Sequence, residues 1–236
     1  MNISYDYITE YLNETLPEST GQLKEMEEYA KKHYVPIIHK EAMCFLRTLL
    51  AMKKPEKILE IGTAIGYSSL VFSEYLKEGG KIITVELNEE TARIAQENFK
   101  KAGNTSIKLI VGDGEDVLMQ SNEKFDVIFL DANKSLYTRC MYDVKRLLNK
   151  GGLLIADNVL YKGMVANDDL ETRRKRTLVN NLRTFLYDLA HDKDFTTSII
   201  PIGDGMTVSV FKEDWKERFL NEQSWTFGTC RKLRKT

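Results

Sequence analysis

Residues 57–68 read Lys57-Ile58-Leu59-Glu60-Ile61-Gly62-Thr63-Ala64-Ile65-Gly66-Tyr67-Ser68. A short apolar run stops at one glycine, crosses a small loop and meets a second glycine just before a helix-forming segment. Gly62 permits a tight turn, and Gly66 lets a ligand approach the backbone where the helix begins. A dinucleotide fingerprint needs glycine at position 64, where this chain has alanine. The turn therefore suits a smaller nucleoside of mixed charge better than a pyrophosphate.

Moving outward, the same texture returns in KIITVE (81–86), IKLIVGD (107–113), FDVIFLD (125–131) and GGLLIAD (151–157). Between these runs lie SSLVFSEYL, EETARIAQENFKKAG and LYTRCMYDVKRLLNKGG, which read as helices, the last two closing on glycine. Strands apolar on both faces, alternating with helices, predict a parallel sheet covered on both sides. After Asp157 the pattern predicts a loop and then an amphipathic helix with Leu178, Leu182, Phe185 and Leu189 inward. FTTSIIPI (195–202) and MTVSVFK (206–212) follow as two strands joined through Gly203-Asp204-Gly205. Residues 4–52 read as helices interrupted at Pro17–Gly21 and at Pro36. The expected organisation is one domain over 1–212, with a helical cover at 1–55 and an α/β core at 56–212. Residues 213–236 form a C-terminal tail to which no function is assigned.

The chain has 236 residues, 42% of them hydrophobic and 29% charged, as in ordinary soluble globular proteins. Its formal charge is −1, so the field of the whole molecule recruits neither nucleic acid nor an anionic membrane, and any such contact needs a local patch. Charge is unevenly spread: residues 1–30 carry seven acidic residues against Lys24 alone. Cys44, Cys140 and Cys230 are far apart, which argues against a disulfide framework or a zinc ribbon. With no signal-peptide pattern and no apolar run of membrane-spanning length, the expected compartment is the cytoplasm.

Four of the predicted parallel strands end in a carboxylate: Glu86, Asp113, Asp131 and Asp157. In open parallel sheets the ligand crevice lies beyond those strand ends. Glu86 stands 24 positions after Gly62, where a carboxylate accepts hydrogen bonds from both ribose hydroxyls. Asp113 is placed to accept from an adenine amino group. Glycine turn, ribose carboxylate and third-strand aspartate, in that order, point to S-adenosylmethionine. Asp131, Asp157 and Asn158 offer two carboxylates and an amide oxygen, hard ligands suited to Mg²⁺ or Mn²⁺. His33, His39 and His191 lack metal spacing and read as surface or packing residues.

EIGTAIGYSSL, DANKSLY and DNVLYKG resemble the metal-dependent O-methyltransferases of the catechol and caffeoyl-CoA type, over roughly residues 20–212. YVPIIHKEAM, DNVLYKGMVA and IIPIGDG are similar to the bacterial tRNA 5-hydroxyuridine methyltransferases within that family. The resemblance implies a Rossmann-like class I methyltransferase fold. Its sheet would be seven-stranded and mostly parallel, with a reversed last strand, helices on both faces and an N-terminal helical cover. It also implies a homodimer and Mg²⁺-assisted methyl transfer that converts wobble 5-hydroxyuridine, in the tRNA anticodon region, to 5-methoxyuridine.

The positions implied for the cofactor are Ile38, Ser68, Glu86, Asp113, Gly114 and Asp131, with Gly62 and Tyr67 from the glycine turn. The family's D-x-x-K pattern puts a general-base lysine at Lys134. For RNA, the densest basic run is Arg173-Arg174-Lys175-Arg176, and helical spacing puts Arg173, Arg176 and Arg183 on the solvent face, opposite the leucines. The loop Lys162–Asp169, directly after the metal ligands, is expected to cover the substrate. The alternative keeps the chemistry and exchanges tRNA for a small catechol-like phenol. A nicotinamide oxidoreductase is disfavoured by the missing glycine fingerprint, and a non-catalytic nucleoside-binding module would not need Lys134.

Overall fold

Lys57–Ile61 buries four of its five side chains, as a strand with neighbours on both edges and helices on both faces must. In the computed structural model, which describes residues 3–212, it is strand β1 of a seven-stranded sheet. The other strands are β2 (Lys81–Glu86), β3 (Ile107–Val111), β4 (Phe125–Leu130), β5 (Leu148–Asp157), β6 (Phe195–Ile200) and β7 (Met206–Phe211). Their order is β3-β2-β1-β4-β5-β7-β6, with β7 antiparallel to both its neighbours and the other pairs parallel. This is the Rossmann-like methyltransferase architecture with its reversed last strand. The chain runs from β1 outward to β3, then returns to start β4 on the other side of β1. That reversal opens a crevice beyond the carboxyl ends of β1 and β4.

The period-2 alternation of β4 separates the two cores. Val127 and Phe129 face one side, packing with α3 (Lys40–Lys53), α4 (Tyr67–Ser73) and α5 (Glu89–Lys101) through Leu46, Phe72 and Phe99. Ile128 and Leu130 face the other, with α7 (Ser135–Arg139), α8 (Met141–Leu147) and α9 (Arg176–His191) through Tyr137, Val144 and Phe185. The cover begins with α1 (Asp6–Thr15), which buries no side chain, and α2 (Gly21–His33), which buries only Met26 and Ala30. None of the described helices is long and apolar enough to cross a membrane. The tail at 213–236 lies outside the described residues.

One local reading is corrected, and one helix is added. At GDGED, 112–116, Asp113 accepts from the Glu115 N–H at 2.8 Å and caps α6 (Gly114–Gln120). The segment LYTRCMYDVKRLLNKGG is not one helix ending on glycine. It breaks at Cys140 into α7 and α8, and α8 stops at Leu147 because Leu148 already pairs with Phe125. Gly151, with φ of 71°, instead serves the bulge where the β4–β5 register shifts. Gly103, with φ of 62°, does close α5 as the sequence suggests.

Glu60 is fully buried in β1 and collects three hydroxyls: Ser68 at 2.5 Å, Ser69, and Thr84 at 2.6 Å. Strand β1, the start of α4 and β2 are thereby tied together. Burial pushes the carboxyl up to about 7, against the opposing pull of the three hydroxyls. The folded state thus holds this proton more tightly than the open chain does. The stability it contributes is complete below the ordinary value of 4.5 and lost as pH rises through about 7. Glu60→Gln, whose amide still pairs with hydroxyls, is expected to flatten this part of the pH dependence and raise the melting temperature above pH 7. Thermal unfolding from pH 5 to 8.5 measures it.

Candidate active site

Both walls of the crevice are set by backbone. The turn after β1 passes so close to β4 that a β-carbon on Gly62 would overlap the Asp131 carbonyl, and Gly62 has φ of 108°. On Gly66 (φ 85°) a β-carbon would sit 2.5 Å from the Phe99 ring. Between the glycines, Ala64 adopts φ of 47° and donates its N–H to Glu86 Oε2 at 2.9 Å. The Asn88 N–H reaches the other oxygen of Glu86 at 3.0 Å, so this carboxylate is aimed by two backbone donors. Gly114 packs against Ile61, leaving no room for a side chain there.

These groups line one cavity of about 520 Å³. It brings together Ile38, Gly62, Glu86, Asp113, Gly114 and Asp131 with Lys134, Asp157 and Asn158. Two expected cofactor residues point elsewhere. Tyr67 sends its hydroxyl to Glu27 at 2.5 Å, into a separate cavity of about 590 Å³ beneath the N-terminal cover. The Ser68 hydroxyl is committed to Glu60. Both residues open α4, and the helical turn carries their side chains away from the crevice.

At the other end of the cavity, Asp131 and Asp157 follow β4 and end β5. Asp157 is 2% exposed and accepts from the Asn158 N–H at 2.8 Å. Burial and the nearby charge of Asp131 push its carboxyl up to about 7. Asn158 takes φ of 56°, which turns the chain sharply after the strand. Among the described residues no three His, Cys, Asp or Glu side chains form a ready metal cage. Two carboxylates and one amide are nevertheless the donor set that Mg²⁺ uses when water and substrate complete its shell. A divalent cation would also relieve the crowding of negative charge around Asp157. The residues fit the ion.

Lys134 is 8% exposed, with Nζ 3.1 Å from Asp131 Oδ1 and 2.8 Å from the Tyr137 hydroxyl. Tyr137 is fully buried, and its oxygen faces the carbonyls of Leu130 at 2.7 Å and Asp157 at 3.0 Å. One phenol thus connects the lysine to the ends of both metal-side strands. The sequence reading missed Tyr137. Its signal is the three-residue step from Lys134 to Tyr137, which puts both on one face of a short helix. His39, Leu136 and Arg139 also line the cavity unforeseen, Arg139 held to Glu115 at 2.7 Å.

The expected RNA row is only partly free. Arg173 and Arg174 are exposed, while Arg176 binds Glu171 at 2.8 Å. Arg183 does not project into solvent as expected. It curls over the segment after Asn158 and donates to the carbonyls of Met164 at 3.1 Å and Val165 at 3.0 Å. Its reach is long enough to find nearby acceptors, which helical spacing alone does not reveal.

The family model described as O-methyltransferase matches residues 13–212. The chain belongs to the O-methyltransferase family. A catechol O-methyltransferase of Niastella koreensis is 37% identical over 130 residues, 53% of this chain and 59% of that protein. A caffeoyl-CoA O-methyltransferase of Eucalyptus gunnii is 31% identical over 219 residues, 86% of each chain. Among solved structures, the O-methyltransferase from Bacillus cereus in complex with SAH superposes with a TM-score of 0.76 at 27% identity, covering 87% of this chain and 97% of that one.

For an O-methyltransferase of this geometry, losing the Lys134 amine should lower turnover far more than donor affinity. Lys134→Ala is expected to cost about 100-fold or more in the methyl-transfer step, the usual worth of a positioned proton-transfer group. Tyr137→Phe, which leaves one ammonium hydrogen bond unmade, should cost roughly 10–100-fold. Single-turnover transfer from labelled donor, beside calorimetric titration of the donor, separates the two quantities.

Proposed function

We propose that this protein is a Mg²⁺- and S-adenosylmethionine-dependent O-methyltransferase that converts 5-hydroxyuridine to 5-methoxyuridine at the wobble position of tRNA. The observation that carries the chemistry is the convergence in one cavity of a nucleoside-type end, Glu86 and Asp113, and an oxygen-ligand end, Asp131, Asp157 and Asn158, with Lys134 beside the latter. Bound S-adenosylmethionine supplies an already activated methyl group, and Mg²⁺ on the oxygen ligands supplies positive charge that favours an ionised acceptor oxygen.

The chain's own residues do the remaining work. Glu86, aimed by the Ala64 and Asn88 amides, holds the ribose, and Asp113 faces the adenine. Ile38, 8% exposed, closes the donor end from the N-terminal cover. Lys134 Nζ, fixed between Asp131 and Tyr137, receives the acceptor's hydroxyl proton when it enters the step as the neutral amine, and leaves it as the ammonium. Holding the oxygen in line with the methyl group turns a bimolecular encounter into a unimolecular step, worth up to about 7–11 kcal/mol. That exceeds what a proton-transfer group contributes by itself.

The tRNA acceptor is supported by the motifs YVPIIHKEAM, DNVLYKGMVA and IIPIGDG and by the exposed Arg173 and Arg174. Their neighbour Lys175 lies over the Tyr161 ring at 5.5 Å, three residues after the cavity-lining Asn158. A homodimer would present this basic run twice. The second reading, a small catechol-like phenol, is favoured by the catechol O-methyltransferase of Niastella koreensis among the relatives.

Incubation with 5-hydroxyuridine tRNA, labelled donor and Mg²⁺ is expected to yield 5-methoxyuridine by nucleoside mass spectrometry, and chelation or Asp157→Asn to abolish it. Methylation of catechols with none of the tRNA would establish the second reading instead. Replacing Arg173 and Arg174 by alanine is expected to reduce the slope of log affinity for tRNA against log salt by about 0.7–0.9 per lost phosphate contact.

A further inference from the structure

The segment that leaves β5 is held in a conformation its own residues disfavour. Asn158, Tyr161 and Lys162 have φ of 56°, 45° and 58°, and Gly163 follows at 79°. Three non-glycine residues in the left-handed region within five positions do not stay there unaided. Contacts from two distant parts of the chain enforce it.

One set comes from the turn between β6 and β7. The Val159 N–H donates to the Gly205 carbonyl at 2.9 Å, and the Leu160 N–H to the Asp204 carbonyl at 3.0 Å. The Lys162 N–H reaches the Asp204 carboxylate at 2.5 Å. Gly205, at φ of 85°, has no space for a side chain because Leu160 presses on it. The other set is Arg183 of α9. Beyond Met164 and Val165, its guanidinium pairs with Asp168 at 2.5 Å and with Glu171 at 3.4 Å. The Glu171 side chain is 9% exposed and also receives Arg176, so a single carboxylate joins two arginines at the segment's end. The planar fork of Arg183 serves two carbonyls and two carboxylates at once, which a lysine ammonium does not reproduce.

We infer that Arg183 is a positioning residue that latches segment 158–171 over the acceptor end of the cavity, and is not a contact to the acceptor's phosphates. Through that latch it holds Asn158 and the acceptor rim in register with Lys134. The inference rests on the proposed reading for where the acceptor lies. The latch itself is a property of the fold that is testable without any acceptor.

Two variants separate the roles. A phosphate contact tolerates Arg183→Lys, which keeps the charge, whereas a latch does not. Limited trypsin digestion with mass-spectrometric readout at Lys162, an exposed residue inside the strained run, reports the latch directly. Arg183→Ala and Arg183→Lys are both expected to speed cleavage there about tenfold, the effect of removing charged hydrogen bonds from a local closing equilibrium. Donor affinity should be unchanged, and acceptor KM should rise by a similar factor in both variants. Should Arg183→Ala fail to fold, Asp168→Asn combined with Glu171→Gln keeps the arginine, loosens its anchors and is expected to raise cleavage at Lys162 likewise. Wild-type cleavage in Arg183→Ala, or an Arg183→Lys enzyme with wild-type KM and wild-type cleavage, overturns the assignment. Faster cleavage with no methylation of tRNA would leave the latch standing and remove the tRNA reading.

Discussion

Everything at this site depends on how closely two stretches of backbone approach at Gly62. The turn leaving β1 lies against the carbonyl of Asp131, and no side chain fits between them. The Asp131 N–H donates to the Ile61 carbonyl at 2.9 Å, extending the β1–β4 pairing to the edge of the turn. The donor end and the oxygen-ligand end of the cavity are thus two sides of one hydrogen-bonded contact. Their spacing is set by the sheet, not by flexible side chains, which suits a transfer that requires three atoms in line.

Behind that contact sits a second constraint, electrostatic in kind. Glu60 lies below the turn and Asp157 at the end of β5, both buried, and both are pushed up by the loss of water. They are relieved differently. Glu60 is satisfied by three hydroxyls from α4 and β2 and serves the architecture. Asp157 has the Asn158 amide, the neighbouring negative charge of Asp131 and the more modest offset of the Lys134 charge, an arrangement that a divalent cation would complete. Burial of this kind without full internal compensation is what separates a ligand site from a structural polar knot.

The segment after Asn158 is bonded to later parts of the chain, α9 and the β6–β7 turn. Relatives as different in name as catechol and caffeoyl-CoA O-methyltransferases match this chain in sequence. Variation in acceptor is most easily accommodated where loops, not strands, form the wall. In the proposed reading the Arg183 and Asp204 contacts would hold such a wall in place.

The amino-acid sequence alone determined the parallel sheet and most of the crevice, and the family resemblance implied the reversal of the last strand. Apolar runs that end in carboxylates have few other ways to fold, and strand ends carry their acids to one edge of the sheet. It also marked Gly62, Glu86, Asp131, Asp157 and Asn158, since glycines and charged residues next to buried strands stand out locally, while the family's D-x-x-K pattern marked Lys134. Only the tertiary structure decided the direction of side chains whose partners are remote in sequence. Tyr67 turned to Glu27, 40 residues away, and Ser68 turned back to Glu60. Tyr137 found the carbonyl of Asp157 across 20 residues, and Arg183 folded onto carbonyls 18 and 19 positions earlier. A helical or strand period states which face a residue occupies. Which acceptor a long side chain meets there depends on elements that only packing brings alongside.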